Sequence, residues 1–144
     1  MRLPIDENVV MLDANAENPE SAIRLAGSML VNSRKVEQSY VEAMVGAYKE
    51  LGPYIVIAPM IAVPHARPDQ GVNEQCMSIL RLKEPMVFGH PTNDPVQLVC
   101  AIGGVDKSVH IRMLRALSEI LGDEEKLELI MKAESYEQLI QAFQ

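Results

Sequence analysis

The sequence predicts a single α/β domain in which a mixed β-sheet is flanked by helices on both faces. Three observations predict it. Apolar residues recur at helical spacing near both ends of the chain. Short β-prone runs fill the middle. One of those runs, Val96 to Ile102, is almost continuously apolar. A strand of that kind is buried on both sides, so helices must cover each face of its sheet.

The elements follow in order. Val9-Val10-Met11-Leu12 reads as a first strand. Asn18-Pro19-Glu20 reads as an N-cap with proline in the first turn, and Ala22, Ile23, Leu25, Ala26, Met29 and Leu30 continue at helical spacing. Asn32-Ser33-Arg34-Lys35 ends that helix. A second starts at Ser39 or a near neighbour, carries Val41, Met44, Val45 and Tyr48 on one face, and stops at Leu51-Gly52-Pro53. Tyr54 to Ala58 and Ile61 to Val63 are short β-prone runs with Pro59 between them. Cys76 to Leu82 is a third run, ended by Lys83-Glu84-Pro85. Gly103-Gly104 is a turn that closes the Val96–Ile102 strand.

Helices return after Asp106, where Val109, Met113, Leu114, Leu117, Ile120 and Leu121 are helically spaced. Gly122-Asp123 breaks and recaps the chain, and Leu127, Ile130 and Met131 continue it. Ser135 and Gln138 form a capping-box pattern for a last helix with Leu139, Ile140 and Phe143.

At 144 residues the chain has the size of one domain, 1–144. Hydrophobic residues make up 48% and aromatics only 4%, with no tryptophan, so the core is aliphatic and methionine-rich. A formal charge of −7 argues against nucleic-acid binding, which needs a basic footprint, and suits a basic partner surface. No stretch approaches the roughly 20 apolar residues of a membrane span. Met1 to Glu7 is followed by no apolar signal-peptide core, so a cytoplasmic location is expected. Cys76 and Cys100 lie in apolar strand-like runs and read as small buried core residues rather than a disulfide framework.

The chemistry concentrates at Ile61-Ala62-Val63-Pro64-His65-Ala66-Arg67-Pro68. The two prolines stiffen the segment, so the His65 imidazole is held in one direction. Such a ring can titrate near neutral pH, act as a nucleophile or bind a metal. Arg67 is suited to an anion. His110 lies near the start of the helix after the Val96–Ile102 strand, where α/β sheets gather ligands and helix N-termini favour anions. It can therefore share a pocket with His65. Three histidines with Asp94 also admit a zinc reading, but no pair has the spacing of a zinc motif. His90 sits in the polar loop Gly89-His90-Pro91-Thr92-Asn93-Asp94 and reads as a solvated loop residue.

Gly52-Pro53-Tyr54-Ile55-Val56-Ile57-Ala58-Pro59, followed by Ala62-Val63-Pro64-His65-Ala66-Arg67-Pro68, resembles the phosphorylation-site segment of mannitol/fructose-type enzyme IIA domains of the sugar phosphotransferase system. Asn93-Asp94-Pro95-Val96, Val105-Asp106 and His110 opening a helix extend the match in the same order over essentially the whole chain. Within the family, Gly52 to Pro68 is most similar to the ascorbate-type enzyme IIA proteins.

The resemblance implies a phosphocarrier. His65 would take a phosphoryl group from the phosphohistidine of HPr and pass it to a cysteine of an enzyme IIB, which phosphorylates a sugar as enzyme IIC transports it. The sugar would be ascorbate-like or another pentose- or hexitol-type substrate. His110 would be the second active-site histidine, hydrogen-bonding His65 or its phosphate. Arg67 joins the phosphate site by chemistry alone, and Asp94 matches a family position, either orienting a histidine or capping a loop. No metal or other cofactor is required. Oligomeric state is left open.

Two departures stand out. Met60 occupies a position where many relatives have glycine. Val45-Gly46-Ala47-Tyr48 also lacks the arginine that mannitol-type domains carry in the helix before the site. Mannitol specificity is therefore not expected, and phosphate stabilisation falls to Arg67, backbone N–H groups or the partner. The surface near Met60 and Ile61 is the expected centre of docking. The competing reading keeps the fold and the phosphorylated histidine but makes the chain a regulator without a transport role.

Overall fold

The computed structural model describes all residues, Met1–Gln144. Its strands β1 (Val10–Ala14), β2 (Val56–Ala58), β3 (Ile61–Ala62), β4 (Cys76–Met86) and β5 (Val96–Gly103) form one sheet in the order β1-β4-β5-β3-β2. The helices are α1 (Pro19–Asn32), α2 (Gln38–Leu51), α3 (Lys107–Leu121), α4 (Glu124–Lys132) and α5 (Tyr136–Ile140). β1/β4 and β3/β5 are parallel, whereas β4/β5 and β2/β3 are antiparallel, so the sheet is mixed.

Successive side chains of a strand point to opposite faces, and β4 and β5 use both. Cys76, Leu80, Leu82, Val99 and Ala101 pack with α1 and α2. Met77, Ile79, Leu98, Cys100 and Ile102 pack with α3, α4 and α5. This two-sided burial explains the nearly unbroken apolar runs. The polar exceptions on β4 are tied to helices. Ser78 donates to Ala26 O of α1 at 2.8 Å, and Arg81 donates to Ile130 O of α4 at 2.9 Å. Both cysteines are buried and unpaired. No helix is long and apolar enough to cross a membrane.

Several boundaries differ from expectation. α2 begins at Gln38 behind Glu37, whose side chain makes no cap bond; the Ser39 hydroxyl instead donates to Gln70 O at 3.0 Å. β4 continues through Lys83-Glu84-Pro85 to Met86, because a register irregularity between Arg81 and Met86 accommodates the proline. Ser135 caps Gln138 N, but Gln138 Oε1 accepts from Glu134 N at 2.8 Å rather than from the cap residue. Ile61 is core, 2% exposed, and cannot centre a docking surface. Its neighbour Met60 is exposed in the turn between β2 and β3 with φ 70°. A left-handed φ of this kind suits glycine better than a residue with a side chain.

Candidate active site

Because β3 and β5 are parallel neighbours, the chain leaves both in the same direction. The segment after β3 carries His65, and the turn after β5 leads into α3 with His110. The two rings meet with centroids 5.1 Å apart and planes tilted by 54°. They open on a cleft of about 1040 Å³, walled on one side by Ala43, Gly46 and Ala47 of α2. A side chain at Gly46 would meet nothing within 4 Å. The stretch lacking the expected arginine therefore faces this cleft and leaves it wide.

His65 Nδ1 lies 2.8 Å from Val63 O. A carbonyl can only accept, so the proton resides on Nδ1 and Nε2 keeps its lone pair. Tyr54 meets the ring edge-on at 5.7 Å. His110 is in the opposite condition. Its Nδ1 is buried without a hydrogen-bond partner. Burial, and then the like charge of His65, pull its pKa below the ordinary histidine value, so the ring is neutral at neutral pH. An unpaired buried N–H is costlier than an unpaired lone pair, which puts the His110 proton on Nε2. No hydrogen bond joins the two rings.

Two further residues hold the backbone around these rings, in roles the sequence reading does not assign to them. The Tyr40 hydroxyl, wholly buried, donates to Ile102 O at 2.6 Å and accepts from Ala66 N at 3.1 Å. Gly104 is more than a strand-ending turn: a Cβ there would sit 2.7 Å from the backbone N and Cα of His110. Only glycine lets the β5–α3 turn press against the first turn of α3. Asp106 caps that turn, accepting from Val109 N at 2.8 Å.

Arg67 lines the cleft but is well exposed, its Nε 3.4 Å from Asp69 Oδ1. Lys107 also lines the cleft and has no ion pair. It precedes His110 by one helical turn, and that spacing was the signal by which it could have been found. Asp94 does not line the cleft. Its carboxylate accepts from the N–H groups of Phe88, Gly89 and His90 at 3.0, 2.7 and 2.9 Å, which makes it an organiser of its own loop. His90 is half-buried rather than merely solvated, its Nδ1 accepting from Thr92 N and Asn93 N at 3.1 and 3.0 Å. No cluster of three or more His, Cys, Asp or Glu side chains is placed to hold a metal ion.

Comparison with known proteins decides the family. The model for "Phosphoenolpyruvate-dependent sugar phosphotransferase system, EIIA 2" matches residues 4–144. The chain belongs to this EIIA 2 family. It is accordingly a phosphotransferase component with a phosphocarrier role. It is 31% identical over 132 residues to the ascorbate-specific PTS system EIIA component of Escherichia coli K12, covering 91% of this chain and 86% of that one. The corresponding Salmonella choleraesuis component is 36% identical over 105 residues, covering 73% of this chain and 68% of that one. Among solved structures, IIA mannitol from Escherichia coli superposes with TM-score 0.85 at 27% identity, covering 99% of this EIIA chain and 100% of that one. The Escherichia coli complex of enzyme IIAMTL with phosphorylated enzyme IIBMTL gives TM-score 0.86 at 27% identity, covering 98% and 97%.

Proposed function

We propose that His65 accepts a phosphoryl group at Nε2 from phospho-HPr in the cytoplasm and passes it to a cysteine of an enzyme IIB. That enzyme, with enzyme IIC, would phosphorylate and import a sugar of the ascorbate class. The observation that carries the reading is the His65 Nδ1–Val63 O hydrogen bond, which leaves Nε2 as the one nucleophilic nitrogen.

In the first transfer the Nε2 lone pair forms the new N–P bond as the donor's N–P bond breaks. The Nδ1 proton stays in place, and Val63 O shares the positive charge the ring gains. The His110 Nε2–H donates to a phosphoryl oxygen, and the cations of Arg67 and Lys107 face the spread negative charge. Phosphoryl transfer demands positioning and charge stabilisation of this kind more than covalent machinery. In the second transfer a cysteine thiolate attacks phosphorus, and the bonding pair returns to Nε2.

The IIB partner is supported by likeness to the IIAMTL of the IIAMTL–IIBMTL complex. The sugar class is supported by the ascorbate-specific relatives. The test is reconstitution with enzyme I, HPr and phosphoenolpyruvate, followed by a panel of purified enzyme IIB proteins. Label should reach this chain and then an ascorbate-type enzyme IIB. Failure of every enzyme IIB to accept label from the phosphorylated chain would favour a purely regulatory protein.

A further inference from the structure

The segment carrying the nucleophile is held by a buried hydroxyl that reaches neither the cleft nor a partner. We propose that Tyr40 is a positioning residue for phosphoryl transfer, fixing the peptide after His65 against the end of β5 so that the imidazole keeps one line of attack. The proposal rests on His65 being the phosphorylated residue.

Both peptides flanking His65 are referred to one residue of β5. Ile102 N donates directly to Pro64 O at 3.1 Å. On the far side, the Tyr40 hydroxyl donates to Ile102 O at 2.6 Å and accepts from Ala66 N at 3.1 Å. The hydroxyl has one proton, and burial pushes its pKa well above the ordinary phenol value, so it remains a donor at all working pH values. The His65 ring is bonded to Val63 O in the same segment. A shift of residues 63–66 therefore turns the ring itself.

Phenylalanine would fill the same volume. It would also leave the part-buried Ala66 N–H and the buried Ile102 O without this partner, and unpaired polar groups inside the fold are expensive enough to drive the segment toward water. A tyrosine present only for packing would need no such oxygen. Ser39, adjacent in α2, supplies the control. Its hydroxyl donates to Gln70 O at 3.0 Å, on the same loop but away from the nucleophile.

The experiment measures kcat and KM for transfer from phospho-HPr to Tyr40→Phe, Ser39→Ala and the unaltered protein, with thermal midpoints alongside. Each variant is also made with Arg34→Gly, which relieves an exposed left-handed residue in the turn after α1, outside the cleft, and guards against loss of fold. Tyr40→Phe should lower kcat on the order of 10- to 10²-fold with KM nearly unchanged, because a small misplacement of reacting atoms has that effect. Nitrogen NMR of its His65 ring should show a weakened preference for the Nδ1–H form. Ser39→Ala should keep kcat. Unchanged kcat in Tyr40→Phe, a loss confined to KM, or equal kcat losses in both variants would overturn the proposal. If Tyr40→Phe is unaffected while His65→Ala accepts no label, the Tyr40 role alone falls. If the unaltered protein accepts no label, the His65 reading falls and takes this one with it.

Discussion

The imidazoles of His65 and His110 face each other at 5.1 Å in complementary protonation states. His65 holds its proton inward on Nδ1, against Val63 O, and presents a lone pair. His110 has an unpartnered Nδ1 in the interior and presents an N–H. One ring can attack phosphorus while the other donates to a phosphoryl oxygen, and neither proton has to move first.

His110→Ala should therefore still accept label from phospho-HPr but transfer it more slowly. Loss of one well-placed donor to developing charge costs on the order of 10²-fold. Rapid-quench measurement of both half-reactions checks this, and unaltered rates in both would make His110 a structural residue only.

The same residue sets a pH dependence. Its pKa lies below 6.5, first through burial and then through His65. The folded state thus binds fewer protons than the unfolded chain just below that pH. Its contribution to stability is complete above the unfolded pKa and is lost as pH falls through 6.5 toward the folded value. Urea midpoints taken from neutral pH downward should fall more steeply in the unaltered protein than in His110→Gln. Parallel profiles would contradict the assignment.

Gly104→Ala should disturb both fold and function. The added Cβ would lie 2.7 Å from His110 backbone atoms, so the first turn of α3 has to move. Overpacking of this kind costs about 1–3 kcal/mol. Urea unfolding and phosphotransfer rate should both decline; a variant normal in both would show that the contact relaxes freely.

Arg34→Gly should act in the other direction. The exposed Arg34 holds φ 63° in the turn after α1, so little packing is lost on removing its side chain. Left-handed backbone costs a non-glycine residue about 1–2 kcal/mol, partly offset by the greater unfolded entropy of glycine, for a net gain of about 0.5–1 kcal/mol. Denaturant unfolding measures the gain. Phosphotransfer should be unchanged, since Arg34 does not line the cleft.

The sheet and the histidine pair were legible in the sequence because local rules govern them. Proline brackets announced a rigid His65, and the Asp106 cap placed His110 in the first turn of a helix. The parallel β3/β5 pair then brought the two together. Tyr40 was not legible, since its hydroxyl links positions 26 and 62 residues away in the chain and nothing near it in sequence marks that oxygen. Of the two readings of Asp94, orienting a histidine or capping a loop, the structure favours the second. A carboxylate in a polar loop looks available, yet neighbouring backbone N–H groups had taken it. Strand β4 outran its expected end because a proline next to a register shift does not stop pairing.

The central claim is that one nitrogen of one residue carries the phosphoryl group. The direct measurement is phosphorylation by enzyme I, HPr and phosphoenolpyruvate of the unaltered protein and of His65→Ala, with the product read by phosphorus–nitrogen correlation NMR. A single phosphohistidine on Nε2 of His65, absent from a folded His65→Ala, is the predicted result. Undiminished labelling of His65→Ala, or a phosphoryl group on Nδ1, would contradict it.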